Sequence, residues 1–231
     1  FFLIDHEKKI IFGWSAKCGC SHIKNIFWFL KNNNIPHDIH TGDSYNSLQK
    51  IDDIENYTTI IIIRNPYKRI ISGFLNKYKL NGSFRPCWTL PTLSFSLFVD
   101  ELVKNKWNMV NKHHFTPQTT EEFDNKIFLS KNIKFYDIEN IDYEYIENLY
   151  NKKIPEWVIN KKEGHERSNN INSDIVYEKN LFELHIDEFV DCRFDIKYLY
   201  NEEIKEKIFN FYKKDFMLFK ENGFDYINSI L

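Results

Sequence analysis

The sequence predicts an α/β fold in which a parallel sheet is packed between helices. Apolar segments of strand length alternate along the chain with segments of helical periodicity, which is typical of strand–helix–strand units. The strand segments lack polar alternation, which indicates burial on both faces of a sheet. With 7 glycines and 6 prolines among its 231 residues, the chain is also too poor in turn formers to be read as disordered.

The first strand is predicted at residues 9–15, where the sequence KIIFGWS is almost wholly apolar. Residues 16–20 form a short loop, and Ser21 is suited to cap a helix that continues to residue 31. The apolar side chains of this helix recur at a spacing that places them on one face. They are Ile23, Ile26, Phe27 and Leu30.

The second strand is predicted at residues 58–64, where TTIIIIR is β-branched up to its last residue. Asn65 then caps a helix, and Pro66 occupies the first helical position, where its missing N–H is tolerated. The side chains of this helix that face the core are predicted to be Ile70, Ile71, Phe74, Leu75 and Tyr78.

The remaining elements follow from the same patterns. We expect a helix at residues 95–105, a third strand at 133–138 and a helix at 142–150. The polar stretch 155–174 is predicted to form loops, and one long C-terminal helix is expected at 201–221. Its inward side chains are Ile204, Ile208, Phe211 and Phe219. No repeat or linker interrupts the chain, so residues 1–231 are predicted to form a single domain.

Charge and cysteine content argue against several classes of function. The 31 basic and 33 acidic residues give a net charge of −2, whereas nucleic-acid binders usually carry a basic excess. The cysteines form no CxxC pair and no zinc spacing, so we expect no metal site. They are Cys18, Cys20, Cys87 and Cys192. No apolar run approaches the ~20 residues of a membrane helix. The sequence thus predicts a protein that binds no nucleic acid and has no transmembrane segment in this chain. It does not indicate an oligomeric state.

The loop between the first strand and its helix has the arrangement that holds phosphate groups. Loop N–H groups at a helix N-terminus attract anions, and here the loop reads SAKCGCS from Ser15 to Ser21. Lys17 precedes Gly19 by two residues, so the Gly-Lys-Ser/Thr order of a Walker A loop is missing. The absence of the Walker A order disfavours an ATP- or GTP-dependent kinase. The alternative interpretation is a plain strand–turn–helix junction with a surface lysine.

A second anion site is predicted where the second strand ends. Arg64 stands at the carboxyl end of that strand, which is the edge of a parallel sheet where ligands bind. A guanidinium can bind a phosphate with two donors, and Ser72 on the following helix can add a hydroxyl. The alternative is structural, with Arg64 paired to a carboxylate and Ser72 an ordinary helix residue.

Four segments together resemble the sulfotransferases that use 3′-phosphoadenosine 5′-phosphosulfate (PAPS). Lys17-Cys18-Gly19-Cys20-Ser21 resembles their 5′-phosphosulfate loop, Pro-Lys-x-x-x-Thr/Ser. The sequence RNPYKRIISGFLNKY at residues 64–78 is similar to the 3′-phosphate segment of the Golgi carbohydrate sulfotransferases, the chondroitin, dermatan and HNK-1 group. HFTPQ at 114–118 and YKKDFMLF at 212–219 resemble two further segments of that group. The segments occur in the family's order and extend over nearly the whole chain.

The resemblance implies a P-loop-like, three-layer α/β/α fold and transfer of a sulfuryl group from PAPS to a glycan hydroxyl without a metal. Lys17 would stabilise the leaving 5′-phosphate oxygen, and the Ser21 hydroxyl with loop N–H groups would hold that phosphate. Arg64 and Ser72 would hold the 3′-phosphate. The implied cofactor-binding residues are Lys17, Cys18, Gly19, Cys20, Ser21, His22, Arg64, Ser72, Arg167 and Ser168.

The acceptor hydroxyl needs a base, and His114 is the second catalytic candidate beside Lys17. Imidazole titrates near neutrality, and His114 matches the His of the family segment. The alternatives are His113, Glu121 and Glu122.

The sequence departs from the family pattern at three places, and the missing cysteines affect the predicted location. Ala16 replaces the Pro before the loop Lys, Phe115 replaces Trp, and the cysteines that follow Pro-Gln are absent from residues 119–125. Without that disulfide or a visible leader, the sequence favours a cytoplasmic protein, or a Golgi-lumenal one if an N-terminal anchor has been removed. A small-molecule, lipid or tyrosine hydroxyl is the alternative acceptor, and a non-catalytic nucleotide-binding module of the same fold is the alternative function.

Overall fold

A computed structural model describes residues 1–39, 48, 51–119, 127–161, 172–178, 180–227 and 229. The strands are β1 (Phe2–Asp5), β2 (Ile10–Gly13), β3 (Thr58–Ile63), β4 (Asn132–Asp137), β5 (Asn172–Tyr177) and β6 (Cys192–Phe194). The longer helices are α1 (Cys20–Asn32), α2 (Pro66–Tyr78), α3 (Phe95–Val103), α5 (Tyr143–Tyr150), α8 (Glu202–Phe211) and α9 (Lys213–Glu221). The short helices are α4 (Lys112–Phe115), α6 (Glu156–Ile159) and α7 (Ile186–Phe189).

Four strands form the main sheet in the order β1-β2-β3-β4. β2 pairs with β3 and β3 pairs with β4 in parallel, with Ile10 opposite Thr58 and Thr58 opposite Asn132. The predicted parallel sheet is therefore confirmed for all three expected strands. Because parallel strands end at the same edge, the chain leaves β2 and β3 side by side at the edge where ligands bind.

β1 is an element that the sequence pattern did not predict. Phe2–Asp5 pairs antiparallel with β2 and forms one edge of the sheet. Its turn is closed by the Asp5 carboxylate, which accepts hydrogen bonds from the backbone N–H groups of Glu7 and Lys8. An antiparallel edge strand on a parallel sheet is common in α/β folds.

Helix α1 packs its predicted apolar face into the core. Ile23, Ile26, Phe27 and Leu30 are all at most 4% exposed, which confirms the prediction from their spacing. Burial of each such side chain contributes roughly 1.5–3 kcal/mol. The helix begins after Gly19 and ends at Asn33, both in the left-handed conformation that glycine and asparagine tolerate best.

Helix α2 begins as the sequence predicts. The Asn65 side chain accepts a hydrogen bond from the Tyr67 N–H, and Pro66 occupies the first turn. Four of its five predicted inward side chains are buried, and Leu75 is half-buried against the same core. The four are Ile70, Ile71, Phe74 and Tyr78.

The chain forms two compact units, each with its own apolar core. Unit 1 comprises Phe1–Arg64 and Gln118–Gly164, and unit 2 comprises Asn65–Pro117 and His165–Leu231. The core of unit 1 contains the main sheet with α1 and α5, and the core of unit 2 contains α2, α3 and α8. The predicted single domain of residues 1–231 stays a prediction. In the described part of the chain, no helix is long and apolar enough to cross a membrane.

The predicted loop region 155–174 contains more structure than expected. Glu156–Ile159 forms α6, and β5 begins at Asn172 and pairs in parallel with β6 in a second, two-stranded sheet. The prediction was wrong at these two places for different reasons. α6 has only four residues, and β5 begins with the polar sequence NSD, which does not resemble a buried strand.

The predicted C-terminal helix 201–221 is two helices, α8 and α9, with a break at Tyr212. The Tyr212 hydroxyl donates a hydrogen bond to the carbonyl oxygen of Phe115, and the side chain is 1% exposed. A long-range contact, rather than Pro or Gly, accompanies the break. The inward face is confirmed for Ile204, Ile208 and Phe219, whereas Phe211 is only half-buried.

Candidate functional site

The loop between β2 and α1 is a tight turn with two left-handed residues. The Cys18 N–H donates a hydrogen bond to the Ser15 carbonyl oxygen at 3.1 Å, which closes the turn. Lys17 has a φ of 68° and Gly19 a φ of 69°. The left-handed conformation costs a non-glycine residue roughly 1–2 kcal/mol, so Lys17 adopts it only because its surroundings impose it.

Gly19 has a second requirement besides its positive φ. A Cβ atom at this position would overlap the side chain of Ile138, which follows β4. The absence of a side chain at Gly19 therefore lets the loop pack directly against Ile138, just after the end of β4.

The first turn of α1 has the features of an anion site. No side chain caps the helix at Gly19, and its first turn holds no acidic residue. The first N–H groups of a helix lack partners within the helix, and the helix dipole makes this end positive. The turn contains Cys20, Ser21 and His22, so the backbone that the sequence assigns to phosphate binding lies at the positive end of α1.

Arg64 lies against this loop. Its Nη1 atom donates a hydrogen bond to the carbonyl oxygen of Lys17 at 3.0 Å. Its Nε atom is buried and has no hydrogen-bond partner in the part of the chain that the structure describes. Because an unsatisfied buried N–H is costly, this atom is a donor suited to an anionic ligand. The structure thus brings the loop lysine and the strand-end arginine together within unit 1.

Gln118 ties the loop to the end of β3. Its Oε1 accepts hydrogen bonds from the Arg64 N–H at 3.0 Å and from the Cys18 thiol at 2.9 Å. Its Nε2 donates to the Arg64 carbonyl oxygen at 2.8 Å. Together with the bond from Arg64 to Lys17, these contacts close a ring of hydrogen bonds around the loop. The sequence analysis quoted Gln118 only as part of a segment and assigned it no role at the site.

The loop cysteines act as small residues in this arrangement. Cys18 is fully buried and Cys20 is half-buried, and neither forms a disulfide bond. Across the residues that the structure describes, no group of three or more His, Cys, Asp or Glu side chains could hold a metal ion.

The His22 side chain contacts Tyr143 rather than the loop. Its Nε2 lies 2.8 Å from the Tyr143 hydroxyl, and the two rings meet edge to face. Burial lowers the pKa of His22, because the imidazolium would lose hydration there. The anion contact that the sequence predicts for His22 is therefore left to its backbone N–H.

His114 lies in the short helix α4 of unit 2. Its Nδ1 is 2.9 Å from the Asn111 Oδ1, which also accepts the His114 backbone N–H at 3.2 Å. The His113 ring lies edge-on to it, with 4.9 Å between the ring centroids. Asn111 is a second residue to which the sequence analysis assigned no role.

The segment around His114 is held from inside unit 2. Arg69, which is 2% exposed, donates hydrogen bonds to the carbonyl oxygens of His114 and Thr116. Tyr212 donates to the carbonyl oxygen between them, that of Phe115. A Cβ on Gly73 would come within 2.5 Å of the Phe115 ring. These motif residues therefore support the chain around His114.

The predicted site residues are distributed over the two units. Unit 1 holds residues 17–22 and Arg64, and unit 2 holds Ser72 and His114. Ser72 is half-buried on α2. The remaining predicted contacts and the alternative acids lie outside the described residues. These are Arg167, Ser168, Glu121 and Glu122.

Comparison with known families decides what kind of protein carries this loop. The family model described as the sulfotransferase family matches residues 1–222, nearly the whole chain. The chain belongs to the sulfotransferase family. Comparisons with curated proteins and with solved structures gave no match.

Membership confirms the predicted sulfotransferase and its fold class. A central, mostly parallel sheet flanked by helices fits the three-layer α/β/α, P-loop-like fold of the prediction. This sulfotransferase transfers a sulfuryl group to a hydroxyl-bearing acceptor. The carbohydrate subgroup, the glycan acceptor, PAPS as donor and the roles of the individual residues stay predictions.

Proposed function

We propose that this sulfotransferase transfers the sulfuryl group of PAPS to a hydroxyl of a carbohydrate and releases adenosine 3′,5′-bisphosphate. The observation that supports the donor is the contact of Arg64 with the backbone of Lys17. It joins the two residues that the sequence assigns to the two phosphate-bearing ends of PAPS. The acceptor rests on the resemblance of four segments to the carbohydrate group.

The loop supplies the 5′-phosphate site in this proposal. N–H groups of residues 19–22 and the Ser21 hydroxyl bind the phosphate at the positive end of α1. The Cys18 N–H, which the sequence also assigned to this phosphate, already donates to the Ser15 carbonyl oxygen. Lys17 interacts with the oxygen that links sulfur to the 5′-phosphate. Negative charge grows on this oxygen as the bond to sulfur breaks, so the lysine stabilises the transition state more than the ground state.

Arg64 and Ser72 bind the 3′-phosphate. The buried Arg64 Nε, which has no hydrogen-bond partner among the described residues, is the donor that such a phosphate would satisfy. A nucleotide without the 3′-phosphate leaves this donor unsatisfied, so the proposal requires a preference for the bisphosphate. Arg167 and Ser168 are the further proposed contacts.

His114 acts as the base. The acceptor oxygen forms a bond to sulfur, its proton passes to the imidazole, and the electron pair of the broken S–O bond remains on the 5′-phosphate. In this scheme no metal takes part.

Transfer from labelled PAPS to a panel of glycans, lipids, tyrosine peptides and small alcohols tests the proposal. We expect a labelled glycan and adenosine 3′,5′-bisphosphate as products. The Lys17→Ala enzyme serves as the inactive control, and Lys106→Ala, which changes an exposed lysine, serves as the matched active control. Labelling of lipids, peptides or alcohols without labelling of any glycan would show that the acceptor is not a carbohydrate. Nucleotide binding with no transfer to any acceptor would favour a non-catalytic module.

A further inference from the structure

The side chain of Asn111 accepts two hydrogen bonds from the same residue. Its Oδ1 lies 3.2 Å from the His114 backbone nitrogen and 2.9 Å from the His114 Nδ1. The first of these contacts is the N-cap of α4. The second has no part in capping the helix, because it joins Asn111 to the imidazole ring rather than to the backbone.

These two contacts determine which ring nitrogen of neutral His114 carries the proton. A backbone N–H can only donate, so the Asn111 atom that it meets must be the amide oxygen and not the NH₂ group. The same oxygen then faces Nδ1, and an oxygen acceptor requires Nδ1 to be the donor. Neutral His114 is therefore the Nδ1–H tautomer, and Nε2 carries the lone pair that can accept a proton.

Asn111 is itself held in place by a buried group. Its backbone N–H donates to the Tyr78 hydroxyl at 3.0 Å, and that hydroxyl donates to the Met109 carbonyl oxygen at 2.8 Å. Tyr78 is fully buried, and burial raises its pKa well above the ordinary value, so it stays a neutral donor. Asn111 thus presents its side chain from a fixed point.

The imidazole is fixed from a second direction through its backbone. Arg69 donates from Nη2 to the His114 carbonyl oxygen at 3.1 Å. The charged and titratable groups beside His114 in the described part of unit 2 include this guanidinium and the His113 ring. The guanidinium cannot accept the Nδ1 proton because it only donates hydrogen bonds, whereas the Asn111 amide oxygen, 2.9 Å from Nδ1, is an acceptor.

We propose that Asn111 is a positioning residue that fixes His114 as the Nδ1–H tautomer, so that Nε2 receives the proton of the acceptor hydroxyl. The inference rests on the proposed base role of His114. As the acceptor oxygen bonds to sulfur, its proton moves to Nε2, and the imidazolium that forms keeps its Nδ1–H on the Asn111 oxygen. That oxygen stabilises the positive charge and prevents the ring from turning.

Two variants separate this positioning role from helix capping. In Asn111→Ser the hydroxyl caps α4 as well as an amide does, but it is too short to reach the imidazole also. We expect kcat to fall about 10-fold or more. The thermal midpoint and the affinity for adenosine 3′,5′-bisphosphate should stay at wild-type values. In Asn111→Asp the carboxylate keeps both contacts, so turnover should largely survive. Its charge favours the imidazolium, and the acidic limb of the pH profile should move up by about one unit.

¹⁵N NMR of His114 in the folded protein gives a readout that does not depend on turnover. In the wild type, at a pH where the imidazole is neutral, we expect a protonated Nδ1 and an unprotonated Nε2. In Asn111→Ser we expect a mixture of the two tautomers. A wild-type Nε2–H tautomer, or full turnover in Asn111→Ser, overturns the inference. If His114→Ala has full turnover, the base role itself fails. If His114→Ala is inactive while the tautomer is Nε2–H, only the role of Asn111 fails.

Discussion

Arg64 donates a hydrogen bond from Nη1 to the carbonyl oxygen of Lys17 at 3.0 Å. The guanidinium therefore supports the left-handed turn that carries the lysine, in addition to any role in binding a phosphate. Removal of Arg64 is expected to disturb both the shape of the loop and the anion site. A test of its binding role must use a variant that keeps the positive charge.

Arg64→Lys is such a variant. An ammonium cannot bind with the paired donors of a guanidinium, so we expect it to lose selectivity rather than all affinity. Isothermal titration calorimetry should show that wild type prefers adenosine 3′,5′-bisphosphate over AMP by about 10-fold or more. The preference should shrink in Arg64→Lys and in Ser72→Ala. Equal affinity of the wild-type enzyme for the two nucleotides would remove the roles assigned to Arg64 and Ser72.

Lys17 can be tested with two substitutions that differ only in backbone freedom. Lys17→Ala and Lys17→Gly both lack the ammonium group, and each should lower kcat by roughly 100-fold with little change in nucleotide affinity. Their stabilities should differ, because Lys17 has a φ of 68°. The glycine variant should be more stable than the alanine variant by about 1 kcal/mol in urea unfolding. A parallel loss of affinity and turnover would contradict a role in the transition state.

Gly19 and Gly223 form a matched pair for the cost of a side chain in the loop. Both have positive φ, but a Cβ at Gly223 meets no atom within 4 Å, whereas one at Gly19 overlaps Ile138. Gly223→Ala should cost about 1 kcal/mol from the backbone alone, and Gly19→Ala should cost more. Adding Ile138→Ala to Gly19→Ala should recover part of the difference. A double-mutant cycle without coupling between the two positions would contradict the steric account.

Burial of His22 predicts how stability changes with pH. Its pKa is lowered in the folded state, whereas the unfolded residue titrates near 6.5. As the pH falls below about 6.5, the unfolded state binds the proton first, so this contribution to stability is present above that pH and is lost below it. Unfolding free energies measured between pH 7.5 and 5 should fall less steeply for His22→Gln than for wild type. The exposed His37→Gln is the control and should follow the wild-type curve.

The sequence predicts the parallel strands and the helices beside them because the signals are local. The run TTIIII in β3 and the Asn65-Pro66 helix start are readable without any knowledge of distant contacts. β6 is missed because three residues carry too little pattern. β1 is no shorter than β2, but it is an antiparallel edge strand, and its pairing with β2 is not visible in the sequence pattern. The break at Tyr212 is missed for another reason, since it coincides with a bond to Phe115, 97 residues earlier in the chain.

The candidate site shows the same division. The residue types of the loop predict an anion site, and the structure adds the hydrogen bonds that hold the loop in its conformation. Gln118 and Asn111 escaped prediction because their roles depend on which backbone groups they meet in the folded chain. An isolated Gln or Asn in a sequence is chemically unremarkable, and only the tertiary structure distinguishes it from its many neighbours of the same type.

The ring of hydrogen bonds around the loop also constrains the order in which the site can form during translation. The residues of the loop leave the ribosome before Gln118, which accepts the hydrogen bond of the Cys18 thiol and is synthesised 100 residues later. Ile138, which packs against Gly19, emerges later still. Nascent chains that end before Gln118 therefore contain the loop and Arg64 without the contacts that complete the ring. The loop can reach its finished conformation only after these downstream segments have been made.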